Sequence, residues 1–140
     1  MERLKTKLEC EDVRGIVRSA SGEEMEFHRK GVIDLFSLLA SNPLFLHGAI
    51  IADRVIGKGA ALLLVKGEVS EVFAYVMSKP ALDILNRTGI KVSYAELQSN
   101  IVNRTGDGIC PVEALTMHTD SPDEAYSLIK QFLISKGNTF

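Results

Sequence analysis

Charged and apolar residues alternate without a settled period over residues 2–11, where a short helix is the expected element. From Arg14 to Ser19 and again from Glu24 to Arg29 the alternation has the period of two that belongs to half-buried strands. The intervening Ala20-Ser21-Gly22-Glu23 carries turn chemistry, so the two segments are expected to pair as an antiparallel hairpin. Between Gly31 and Ala40 the period changes: apolar residues at 32, 33, 35, 36, 38 and 39 describe a helix with a wide buried face, stopped by Ser41-Asn42-Pro43. Residues 44–52 are almost continuously apolar, the pattern of a central strand covered on both faces, and Asp53-Arg54 is expected to end it. Val55 to Gly59 then leads into a buried helix over Ala60–Val65, which Lys66-Gly67 stops, the glycines permitting close packing at its entry.

A second strand–helix unit follows. Val69 to Met77 reads as a strand, Ser78 as an N-cap with Pro80 in the first turn, and Ala81 to Arg87 as a helix closed by Thr88-Gly89. Ile90 to Tyr94 supplies a further strand, and Ile101-Val102 a short extended piece. A helix runs from Cys110 to about Met117, and an amphipathic helix from Asp123 to Ser135 completes the chain. This alternation predicts an α/β fold, a three-layer α/β/α sandwich around a mixed sheet, in a single domain over residues 1–140. Ligands of such sheets gather at the carboxyl ends of the strands, which makes loops 53–59, 78–80 and 103–110 the places to look.

Composition narrows the partners. With 16 basic against 18 acidic residues and a formal charge of −2, the chain has no bulk attraction for nucleic acid or anionic lipid. Only 6% of residues are aromatic and none is Trp, which argues against a base-stacking surface. Met1-Glu2-Arg3-Leu4-Lys5 lacks the apolar core of a signal peptide, and runs such as Ala60 to Val65 are far too short to span a membrane. A cytoplasmic chain is expected, with Cys10 and Cys110 as free thiols.

The stretch richest in candidate chemistry is Gly106-Asp107-Gly108-Ile109-Cys110-Pro111-Val112-Glu113. Cys110 falls at a helix N-cap, Pro111 at the first helical position and Glu113 at the reach-back position of a capping box. A helix start lowers a thiol pKa and offers backbone N–H groups to an anion, so Cys110 is either a reactive thiol or a small buried hydrophobe under the helix. Glu113 either completes the cap or acts as a base. Lys58, between Gly57 and Gly59, is either a cation for a phosphate or carboxylate or a solvated turn residue. Asp53 either orients that loop or simply forms a turn, and Asn103 and Arg104 precede the thiol loop closely enough to share its cavity.

The segments Ala52-Asp53-Arg54-Val55-Ile56-Gly57-Lys58-Gly59-Ala60-Ala61, Asn103-Arg104 and Gly108-Ile109-Cys110-Pro111-Val112-Glu113 resemble the DUF1893 family of uncharacterised proteins. The order of elements, with helices opening at Gly57-Lys58-Gly59 and Ser78-Lys79-Pro80, resembles the cytidine-deaminase-like fold more widely. Zinc deaminases carry a His or Cys with a Glu two residues on at the first of these helices, and Pro-Cys-x-x-Cys at the second. Here the corresponding residues are Lys58-Gly59-Ala60-Ala61, and Ala81 and Ile84 after Pro80. The resemblance therefore implies neither a metal nor a cofactor.

Two functions fit these residues. One is a protein that binds a small anionic or nucleoside-like molecule, or a thiol-dependent enzyme, on a zinc-free deaminase-like fold. In it Cys110 is the nucleophile and Lys58 and Arg104 neutralise the ligand. Asn103 orients it, Asp53, Gly59 and Gly108 are further ligand-binding residues, and Glu113 assists proton transfer or fixes the thiol. The other is a non-catalytic interaction module that self-associates as a homo-oligomer.

Overall fold

The computed structural model describes residues 1–10, 12–102, 106 and 108–139. Helix α1 (Glu2–Cys10) is followed by the hairpin strands β1 (Gly15–Arg18) and β2 (Glu24–Phe27), helix α2 (Ile33–Ser41) and the single turn α3 (Pro43–Leu46). Then come β3 (Ile50–Ile56), α4 (Lys58–Gly67), β4 (Glu71–Ser78), α5 (Lys79–Asn86) and β5 (Lys91–Gln98), with α6 (Pro111–Thr116) and α7 (Pro122–Ser135) last. The strands form one mixed sheet in the order β2-β1-β3-β4-β5. β1 is antiparallel to both β2 and β3, whereas β3, β4 and β5 run parallel, each crossover containing a helix as a parallel pairing requires.

Both faces of the sheet carry helices, which gives the three layers. On one face a large core joins Val17, Ile51 and Val72 of the strands to Phe36, Leu63, Leu85 and Ile129 of α2, α4, α5 and α7. On the other, Leu4 and Leu8 of α1 pack on Ile16, Ala52 and Phe73. Helix α4 is buried from Lys58 through Leu64 and packs against both α5 and α7, which is why its sequence is apolar all round rather than striped. No helix of the described residues is long and apolar enough to cross a membrane.

The expected strand over residues 44–52 is corrected at both ends. Pro43 opens the helical turn α3, and Gly48 turns the chain at φ 74°, so β3 starts only at Ile50. It then runs through Asp53-Arg54 to Ile56, because each charged side chain finds partners distant in sequence. Arg54 donates from Nε to the Val13 carbonyl at 2.7 Å and from Nη2 to the Leu8 carbonyl at 2.9 Å, capping the end of α1. Asp53 lies over Gly15, its register partner on β1, where a Cβ would come within 3.2 Å of the Asp53 Cγ. Asp53 is thus a strand residue and not part of a loop. The stop of α4 also moves by one residue: the left-handed position is Glu68, at φ 60°. Gly67 serves another purpose, since a Cβ there would meet Leu46 Cδ1 at 2.9 Å.

Candidate functional site

The carboxyl ends of β3 and β4 lead directly into α4 and α5, and the two helix starts differ in how they are capped. At α5, Ser78 Oγ accepts the Ala81 N–H at 3.2 Å, an N-cap with Pro80 in the first turn as the sequence implies. At α4 the N-cap is Gly57, which has no side chain to offer. The missing acceptor comes from α6: Glu113 Oε1 accepts the Lys58 N–H at 3.2 Å, and Oε2 accepts the Ile101 N–H. Glu113 is only 1% exposed, so both bonds lie inside the protein.

The capping box expected at Cys110 therefore does not form. The Cys110 N–H donates to the Ile101 carbonyl at 2.7 Å, leaving Glu113 to reach in another direction. An antiparallel bridge between Val102 and Ile109 continues this pairing. One carboxylate thereby joins α4, α6 and the segment after β5. The backbone N–H of Lys58, which an external anion could have met at a helix start, is already answered by the chain's own Glu113.

Gly59 has an equally internal task. A Cβ there would sit 2.5 Å from Val112 Cγ1 and 3.3 Å from Ile129 Cδ1, so the missing side chain is what lets α6 approach α4. The Lys58 side chain is nearly buried. Its ammonium donates to the Met117 carbonyl at 3.0 Å and pairs with Asp120 Oδ1 at 2.9 Å. Asp120 Oδ2 accepts from Arg87 Nη1 at 2.9 Å, and Arg87 Nη2 pairs with Asp83 one turn back on α5. The hydrogen bond from Lys58, then that from Arg87, holds the Asp120 carboxyl below the usual carboxylate range. This four-charge chain links the start of α4, the end of α5 and the loop between α6 and α7.

Beside it opens a groove of about 540 Å³. Helix α5 contributes Lys79, Asp83 and Asn86 to its lining, the segment after β5 contributes Ser99 and Asn100, and the end of α6 contributes Met117. The groove lies where the parallel strands β4 and β5 finish, the position that doubly wound sheets use for ligands.

Of the residues singled out in the sequence, the structure brings together Lys58, Gly59 and Glu113, through Lys58 N and Val112. Cys110 is half-buried at the start of α6 and Gly108 is exposed just before it. Asp53 lies apart from them within β3. Asn103 and Arg104 fall outside the described residues. Among the described residues no group of three or more His, Cys, Asp or Glu is placed to hold a metal ion. Ala81 and Ile84, at the positions matched to deaminase cysteines, are buried in the main core. Sequence reasoning passed over Asp83, Arg87, Asn86, Asn100 and Asp120. Only the i,i+4 spacing of Asp83 and Arg87 gave a readable signal. Asp120 meets Lys58 across 62 positions of chain (120 less 58), a pairing that no local pattern encodes.

Comparison with known proteins agrees with this architecture. A family model described as a domain of unknown function, DUF1893 (TM1506), matches residues 3–133. The crystal structure of a DUF1893 family protein, TM1506 from Thermotoga maritima, is similar with a TM-score of 0.82 and 26% identity, covering 93% of this chain and 87% of that one. No curated protein matches the chain. With the family pattern running from α1 into α7 and the same fold in a solved member, the chain belongs to the DUF1893 family.

Proposed function

We propose that this protein binds a small polar molecule, anionic or nucleoside-like, in the groove at the carboxyl ends of β4 and β5, on a cytidine-deaminase-like scaffold that works without zinc. The observation that carries the reading is the groove itself, open to solvent and lined by an amine and two carboxamides. Asn86 and Asn100 each offer donors and an acceptor, the chemistry needed to read the edge of a heterocycle, and Lys79 supplies an exposed cation. In the thiol-enzyme form of this reading Cys110 is the nucleophile. Glu113 then serves it by fixing α6, since both carboxylate oxygens already accept backbone N–H groups.

Native mass spectrometry of the purified protein tests this. A retained small molecule is expected on the wild type and lost in Asn100→Ala and Lys79→Ala, and a covalent adduct, if formed, should vanish in Cys110→Ser. A wild type that carries nothing, and whose melting temperature is unmoved by nucleosides, nucleotides and carboxylic acids, removes the proposal. The same spectrum scores the second reading, self-association. That reading draws on β5, an eight-residue edge strand with Tyr94 exposed. Exposed Lys91 and Glu96 on that strand are the kind of charges that discourage edge-to-edge pairing, so a monomer is the expected mass.

A further inference from the structure

We infer that Asp120 is a built-in stand-in for an anionic group of the ligand, occupying a carboxylate or phosphate subsite formed by Lys58 and Arg87 at the end of the groove. The inference rests on the reading that the groove binds a small polar molecule. Two cations from different helices converge on a single carboxylate, one on each oxygen, both at 2.9 Å. That is the arrangement with which proteins hold a ligand carboxylate or phosphate. The two sides of the contact are unequal. The Lys58 side chain is only 9% exposed and is fixed by its bond to the Met117 carbonyl, whereas Asp120 is 57% exposed on the loop between α6 and α7. The cation belongs to the fold, and the anion comes to it from the solvent side. The nearly buried ammonium needs an anion beside it, and because the carboxylate that answers it faces solvent, another anion can take its place.

The groove leads to the same place. Met117, whose carbonyl holds Lys58, lines it; so does Asp83, which pairs with Arg87, and so does Asn86, the residue before Arg87. An anion advancing along the groove meets Lys58 and Arg87 once Asp120 swings out. Asp83 stays on Arg87 Nη2 and keeps the guanidinium oriented. A stand-in seated roughly nine-tenths of the time lowers the apparent affinity of an incoming anion roughly tenfold, so the contact sets a threshold for occupancy rather than a block.

The test is a titration with inorganic phosphate at fixed ionic strength, followed by calorimetry or by amide NMR shifts. Asp120→Asn is expected to bind phosphate about tenfold more tightly than the wild type. Asp123→Asn, which removes the same charge from the exposed pair with Lys66, is expected to leave the affinity unchanged. Adding Arg87→Gln to Asp120→Asn should abolish the gain. Arg87 is more than half exposed, so its replacement leaves the fold able to answer the test, as replacement of the nearly buried Lys58 would not. Affinities within twofold of each other for wild type and Asp120→Asn would overturn the inference, as would an equal gain in Asp123→Asn or one that survives Arg87→Gln. None of these results depends on a retained metabolite. A groove found empty by mass spectrometry alongside a phosphate gain in Asp120→Asn would count against the groove alone, and a filled groove without that gain against the stand-in alone.

Discussion

The carboxyl of Asp53 lies over Gly15, whose absent side chain makes room for it, and beside the ring of Phe27 on the face that carries the main core. Burial there pushes its pKa up to about 7, against the opposing pull of the Val55 and Arg54 N–H groups and the charges of Arg14 and Arg54. A carboxyl whose folded pKa exceeds its unfolded value of 3.8 binds its proton more tightly in the native state. Stability from this residue is therefore greatest below about pH 4, falls as the pH rises, and levels off above about pH 7. Asp53→Asn keeps an acceptor for the Val55 N–H and removes the charge. It is expected to stabilise the protein by on the order of 1–3 kcal/mol at pH 8 and by little at pH 4. Urea denaturation at the two pH values checks this, and equal effects at both would show that Asp53 titrates normally.

At the scale of elements, the contact between α4 and α6 is made by shape. Gly59→Ala places a methyl 2.5 Å from Val112 Cγ1, and Val112 is β-branched, with few rotamers to retreat into. The expected cost is about 1–3 kcal/mol. Adding Val112→Ala should recover most of it, because the second change removes the atom the first one strikes; a double-mutant cycle in urea with no coupling would refute that account. This contact also shows what was legible in the sequence. Gly57 and Gly59 announced close packing at the helix start, and the alternation of periods announced five strands in a mixed sheet. What misled was chemistry that reads one way locally and another in place. Asp53-Arg54 looked like a strand terminator but lies within β3, because α1 and Gly15 supply partners distant in sequence. Glu113 looked like half of a capping box, yet its partners are 55 and 12 residues away. Among the described residues, only 78–80 of the loops expected to form the site lines the groove, through Lys79 and Pro80, since Asn86, Asn100 and Met117 carry no pattern until β5 and α6 bring them together.

On the scale of the whole molecule the two faces of the sheet are unequal, and this sets how the protein opens. Among the described residues, one face is covered by α2, α4, α5 and α7 over a continuous core, while the other carries α1, whose Leu4 and Leu8 belong to a cluster of only six buried residues. α1 is held by Leu4 and Leu8, by the Lys5 ammonium 4.4 Å above the Phe73 ring, by the Arg54 cap on the Leu8 carbonyl, and by ion pairs of Arg3 and Lys7 with Glu24 and Glu26 of β2. The apolar part of this contact is small and solvent-facing ion pairs add little to it, so α1 is expected to detach while the candidate site, built on the opposite layer, remains intact. Native-state hydrogen exchange is expected to show α1 amides opening at a lower free energy than those of α4. Arg54→Ala, which removes the bonds to the Leu8 and Val13 carbonyls, should speed exchange in α1 by about tenfold or more while leaving α4 nearly unchanged. Matching protection in α1 and α4, shifted equally by Arg54→Ala, would mean instead that both faces unfold as one unit and that loss of α1 takes the groove with it.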